Sequence, residues 1–467
     1  MKSILTLLVL FGFYFNTTAQ HLKGKVLDAE TNLPIENVNV YWSNQDDGTF
    51  TDEHGEFDLK LKKRIRLNDL IYFTHVSYAI QKLSYGELKD QNFTVKLKID
   101  TTQLDEINLL SRRRLRRQLK YETLPFMKKG TYAFGSAFAT GKIYVFGGDI
   151  SNETDGVKKT IQNNPNLDVA SNFDPGFGFQ ELLRRINMAY MNSYEGYNSY
   201  LQIYNIDRSN WEWEKTKLQK RAYHDMVYNN DKEEIYVLGG KRLSPNRRFE
   251  YLDNEIEIFD LKNDTVLTDK TNPHQAVNFA SFIKDANIIL MGGSVKQKRN
   301  GKKVFTDKTH LFDTGTGLWY ELGNMPEAKE TSGVLLNNTI YLIGGFNGES
   351  LSGIETYDLN DGKWTRIGEL FEPVARPGMA SDDDHIYIYY PGNLAVYNVR
   401  TGLINEYAIN FHVNEPKMFL SDHSLYLLGG YDENDYEKEP SPRMISIDLS
   451  ELKYTRVKRS KKLGDTI

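Results

Sequence analysis

Five basic side chains, Lys129, Arg221, His274, Lys329 and Arg376, fall at comparable places in a repeated pattern, each just ahead of a short apolar run. Asn414 and Lys417 hold that place in a sixth copy. If folding brings these places together, the cations focus positive potential at one opening, even on a chain of net charge -5. Arginine adds a planar fork that fits carboxylates. Such an opening would hold an anionic glycan or protein ligand: an acidic sugar, a carboxylated glycan or an acidic peptide segment. Replacing Arg221 and Arg376 with Ala should then weaken the ligand without unfolding the protein. The bland alternative is that each cation pairs with a neighbouring Asp or Glu, or stays hydrated. Acid–base chemistry on a bound sugar would need a carboxylate or imidazole beside the arginines, and only His274 and Glu330 stand close in sequence.

Other chemistry is sparse. The chain has no His-Glu-x-x-His, no Ser or Cys nucleophile motif and no Walker-type loop, so no catalytic residue and no cofactor is expected. Two acidic runs invite a metal reading. Asp46, Asp47, Asp52, Glu53 and His54 are hairpin-turn residues without the spacing of a calcium loop. Asp382, Asp383, Asp384 and His385 read as an exposed turn, so no metal is expected. The basic run SRRRLRRQLK at 111–120 could touch anionic lipid, but a solvated linker or a short helix on an acidic neighbour is the preferred reading. Net negative charge argues against a nucleic-acid partner.

The elements that must position these residues occur six times. An apolar run ending in two glycines reads IYVFGG at 143–148, IYVLGG at 235–240, IILMGG at 288–293, IYLIGG at 340–345 and LYLLGG at 425–430; IYIYYPG at 386–392 lacks the first glycine. A second landmark has a constant separation of seven residues: Tyr204 and Trp211, Phe259 and Val266, Phe312 and Trp319, Tyr357 and Trp364, Tyr397 and Ile404, Ile447 and Tyr454. Each copy offers four short β-rich runs between turn residues, a meander too small to hide its own apolar faces. Radial stacking of such sheets makes a propeller. These residues resemble the kelch family, whose blades carry a double glycine at the end of the second strand, an aromatic on the third and a Trp on the fourth. The resemblance covers roughly 128–460 and implies a six-bladed kelch β-propeller, with Val266, Ile404 and Tyr454 departing from the Trp. The copper radical oxidases that share this fold need a Cys, and the chain has none. Either 121–127 or 453–457 closes the ring.

In an up-and-down blade, the turn between strands two and three lies at the same mouth as the start of strand one. An insertion at 149–199 therefore sits at the mouth where the cations gather. Within it, QELLRRINMAYM at 180–191 places Leu182, Leu183, Ile186 and Tyr190 on one helical face.

Ahead of the propeller, 1–19 reads as a signal peptide, with an apolar run from Ile4 to Phe15 and a small-residue exit. Residues 20–103 alternate like a small antiparallel β-sandwich, and 104–127 form a basic linker. GKVLDAETNLPIENVNVYW, GTFTDEHGEFDL and LIYFTHVSY resemble the carboxypeptidase-regulatory-like, prealbumin-like domain. That resemblance implies a non-catalytic docking module on an exported protein of a Gram-negative bacterium. The periplasm, the outer-membrane surface or the medium is then its place, with an outer-membrane or cell-surface component as a partner of the N-terminal domain. The fold class expected is all-β, a sandwich followed by a propeller with one helical insertion in blade one. Three functions fit: a binding module, a mutarotase of the sialic acid type that resembles six-bladed bacterial kelch proteins, and a rigid spacer.

Overall fold

The computed structural model describes residues 20–464 apart from 30, 43–47, 62, 76–77, 99–114, 156–195, 247–248 and 299. The expected signal peptide, Asp46 and Asp47, residues 111–114 of the basic run and the helix at 180–191 lie outside the described residues. The chain divides into two compact units, Met1–Arg114 and Leu115–Ile467.

The first unit is a sandwich of a three-stranded and a four-stranded sheet. Alternation decides its faces: Val40 and Trp42, Phe57, Leu59 and Leu61, and Ile71 and Phe73 all point into one core. It is not wholly antiparallel as expected. Lys25–Asp28 runs parallel to Thr94–Leu97, because the short helix Tyr85–Asp90 turns the chain before the last strand. A capping box at Ser84 and Glu87 starts that helix. The acidic turn nearby is held by its own backbone: Asp52 Oδ1 accepts from the N–H of His54 and of Glu56 at 2.9 and 2.8 Å.

The second unit contains six meandering sheets of four or five strands among the described residues. Their first strands, beginning at Gly135, Asp225, Ala280, Gly333, Gly378 and Lys417, line a common cavity. The seven-residue landmark is a cross-strand pair. Tyr204 opposes Trp211, Phe312 opposes Trp319 and Tyr357 opposes Trp364, with ring centroids 4.8–5.1 Å apart. Apolar clusters run from each sheet to the next, and Phe134, Val145, Leu428 and Met444 join the sixth sheet to the first.

The glycine pairs stitch neighbouring sheets together. The second glycine donates its N–H to the following sheet: Gly148 to Arg221 O, Gly240 to Ala276 O, Gly293 to Lys329 O, Gly345 to Val374 O and Gly430 to Thr131 O. Both members of each of these pairs have φ above +50°, which a side chain resists. A Cβ on Gly344 would lie 2.3 Å from Val374 O. Gly344→Ala is therefore expected to cost about 2 kcal/mol or more, read as a lower urea midpoint at unchanged slope.

The sixth sheet departs from the repeat. Tyr454 does not stand on a fourth strand, because Glu451–Tyr454 is a helical turn. Glu122–Thr123 fills that edge by pairing with Ser446 and Ile445. The second half of the expected linker is thus part of the propeller: Leu119 is buried and its N–H reaches Ala408 O, while Arg116 meets Glu451 and the main chain at Tyr454 and Arg456. After the helical turn, Arg459–Lys462 adds a fifth strand to the fifth sheet.

Candidate functional site

The hydrogen bonds from the glycine pairs fix which residues of the six sheets are equivalent. Two residues beyond each stitched carbonyl come Ala133, Tyr223, Asn278, Thr331 and Arg376, and Glu415 holds that place in the sixth sheet. All six line a central cavity of about 220 Å³. This is the register that the sequence pattern blurred.

Only Arg376 of the five proposed cations belongs to that rim. Arg221 and Lys329 stand two residues earlier, 0% and 1% exposed, and turn sideways into the walls. Lys329 Nζ donates to Glu355 Oε2 at 2.7 Å and to Gly344 O at 3.3 Å. Arg221 reaches Glu257, Asp253 Oδ2 at 2.7 Å and Gly239 O at 3.2 Å. His274 and Lys129 stand two residues earlier again. His274 is buried, with Nε2 2.9 Å from Gly292 O and Nδ1 2.9 Å from His310 Nδ1. Lys129 is half-buried, its main chain held on both sides by the Gln202 amide. The cations therefore do not converge on the mouth. A two-residue slip in register separates a side chain that faces the axis from one that braces a glycine pair.

The bracing partners were legible. Gln202, Glu257, His310 and Glu355 each precede the landmark aromatic by two residues, so they occupy one position of the third strand. An acid, amide or imidazole there, opposite a basic residue ahead of the first strand, was the available signal.

Arg376 itself is clamped. Its guanidinium donates to both Glu415 oxygens at 2.5–2.9 Å and to Glu330 Oε2 at 2.9 Å. Burial works against its charge, but Glu415 and Glu330 outweigh burial and hold its pKa above the ordinary value. Lys417, one step further in, pairs with Asp225 at 3.1 Å, and Ser281 also donates to Asp225. The acid–base pair of the mutarotase reading is likewise engaged: Glu330 is buried under Lys303, Ser294 and Arg376, and burial pushes His274 down to about 4. Asp382 closes a turn by accepting from the N–H groups of Asp384 and His385 and from the Tyr387 hydroxyl.

The sequence pattern missed a collar. Between their second and third strands, the second, third and sixth sheets extend small hairpins: Lys241–Leu243 with Glu250–Leu252, Ser294–Gln297 with Lys303–Phe305, and Tyr431–Glu433 with Glu437–Pro440. The described start of the insertion, Glu153–Thr154, joins the last of these as a third strand. In the fifth sheet the same connection is only Pro391–Gly392. Beside the rim, a groove of about 760 Å³ lies between the collar hairpins of the second and third sheets. Tyr223 and Asn278 belong to both the groove and the central cavity.

Residues 22–109 match the model of the CarboxypepD_reg-like domain, and residues 186–355 match that of the Attractin/LZTR1 beta-propeller. Kelch repeat and BTB domain-containing protein 2 of Cowpox virus (strain GRI-90 / Grishak) is 32% identical over 120 residues, 25% of this chain and 21% of that protein. Beta-scruin of Limulus polyphemus is 21% identical over 189 residues, 40% of this chain and 15% of that protein. The TonB-dependent receptor P3 of Formosa agariphila is 25% identical over 108 residues, 23% of this chain and 10% of that protein. The chain thus spans about a fifth or less of the length of these relatives. Sheet topology, glycine pairs and these matches together identify a carboxypeptidase-regulatory-like domain followed by a β-propeller of the kelch-repeat kind.

Proposed function

We propose that this chain is a non-catalytic interaction protein whose collared mouth binds a protein partner. The observation that carries the reading is the collar. Hairpins from three sheets stand at one mouth, and beside the groove they leave Tyr251 and Val295 50% and 36% exposed. Exposed aromatic and apolar side chains around a concavity are what anchors a partner. The kelch-repeat relatives support an interaction scaffold over an enzyme, and the engaged state of His274 and Glu330 agrees with that. An exported setting, with the N-terminal domain docking to a cell-surface component, fits the apolar run at 4–15 and the receptor match and belongs to the same proposal.

Peptides selected by display on the intact chain test this reading. Binders are expected to lose roughly tenfold in affinity or more on Tyr251→Ala and to ignore Asp383→Ala in the turn at the opposite mouth. Binders that ignore Tyr251 and follow Asp383 would move the function to the other mouth.

A further inference from the structure

We infer that the groove between the collar hairpins of the second and third sheets takes an extended, acidic segment of a partner protein as an added β-strand. This rests on the collared mouth being the binding face.

Main chain flanks the groove on both sides. Glu250, Tyr251 and Leu252 line one wall, and Ser294, Val295, Lys296 and Gln297 line the other. Each run belongs to a two-stranded sheet with no third strand among the described residues, but Ser294 already exchanges its main-chain bonds with Val277, so the open edge is that of Glu250–Leu252. In the first hairpin, Ser244 N–H donates to Phe249 O and Asp253 N–H to Gly240 O. The alternation of an antiparallel ladder then turns the N–H and C=O of Glu250 and Leu252 outward, away from their own partner strand. An open strand edge is a template for another chain, and side-chain pockets beside it give such pairing its specificity.

The same collar already accepts a strand of this kind. Glu153–Thr154 pairs antiparallel with the hairpin edge at Glu437–Lys438, and Lys438 Nζ stands 3.6 Å from the Glu153 carboxylate. A short acidic strand laid on a collar hairpin and held by a lysine is therefore a contact this fold makes within itself.

Charge sets the sign of the occupant. Lys296, Lys298 and Lys302 are exposed on the third sheet's hairpin, and none of them pairs with an acid among the described residues. Lys303 is spent on Glu330. On the opposite wall the Glu250 carboxylate is engaged by the Tyr197 hydroxyl at 2.6 Å and by Lys241 at 3.2 Å. A segment with carboxylates on one face would meet these three lysines, and apolar side chains on its other face would meet Leu252, Val277 and the exposed Tyr251 and Val295. That alternation is the natural period of a strand.

The test uses the full chain and three labelled 12-residue peptides, read by fluorescence anisotropy: alternating Glu and Val, alternating Lys and Val, and the first peptide with every second amide N-methylated. The Glu peptide is expected to bind at least tenfold more tightly than either of the others. Raising salt from 0.05 to 0.5 M should weaken it, since the lysines are exposed. The triple variant Lys296→Ala, Lys298→Ala, Lys302→Ala should also lose at least tenfold, with an unchanged circular dichroism spectrum. Equal binding of the Glu and Lys peptides, or binding untouched by N-methylation, would overturn the inference. If display-selected binders still depend on Tyr251 in that case, the collared mouth stands and only the acidic strand falls. If none depends on Tyr251, both fall.

Discussion

Arg221→Ala is expected to cost about 3–5 kcal/mol of folding stability, the usual penalty for removing one partner of a buried ion pair. The guanidinium is wholly buried between Asp253 and Glu257, themselves only 1% exposed, and it also donates to Gly239 O. Without it, Arg242 still holds Asp253 at 2.6 Å, but among the described residues Glu257 keeps only the Gln219 N–H as a hydrogen-bond donor. Burial already pushes the Glu257 carboxyl up, and losing Arg221 removes its main compensation. The variant should unfold at a clearly lower urea concentration. A double variant, Arg221→Met with Glu257→Met, should recover much of the loss, because apolar groups of similar volume leave no stranded charge. A fully stable Arg221→Ala protein that had lost an anionic ligand would instead restore the view of Arg221 as a contact residue.

The second large effect is acid sensitivity centred on His274. A carbonyl can only accept, so the contact with Gly292 O fixes the proton of His274 on Nε2. Nδ1 is then the acceptor, and His310 must donate from its own Nδ1. A second proton on His274 would point at that donor, in a site closed to water. Burial, helped by His310, accordingly lowers its pKa from 6.5 to about 4. The unfolded chain thus binds the proton first, and stability is complete above about pH 6.5 and declines as pH falls toward 4. The shift corresponds to about 3 kcal/mol. Burial also holds His224 well below the ordinary value, so the whole protein should show a steeper slope than His274 alone supplies. Unfolding free energies at pH 7 and pH 4.5, compared between the wild type and His274→Gln, should show a much smaller pH difference in the variant. Equal differences would assign the slope elsewhere.

Much of the architecture could be read from the chain because its landmarks are strand-local. An aromatic and a Trp seven residues apart must face each other across a tight turn, and glycine pairs mark where one sheet meets the next. Side-chain direction was harder. Arg221 and Arg376 look alike in a pattern with two residues of slack, yet one braces Gly239 O and the other lines the axis. What separates them is the partner on the third strand: Glu257 and Glu355 face Arg221 and Lys329, whereas the fifth sheet has Ala395 there, and its cation comes two residues later. The collar hairpins escaped notice because each strand is only three or four residues long and carries charges instead of an apolar period. The closing strand at Glu122–Thr123 falls inside 121–127, one of the two candidate stretches, but with just two residues and no β-branched run nothing in the sequence preferred it to 453–457.

That closing strand also orders events in time. Glu122–Thr123 leaves the ribosome before any blade is made, yet its partner Met444–Asp448 is translated only after the five intervening sheets. The circle cannot be sealed until that segment has emerged. Arg459–Lys462, later still, then covers an edge on the neighbouring sheet. Sealing should be a late and slow event, given the distance along the chain between the partners, and a polypeptide stopped short of residue 444 would carry an uncapped rim prone to stick to its own kind.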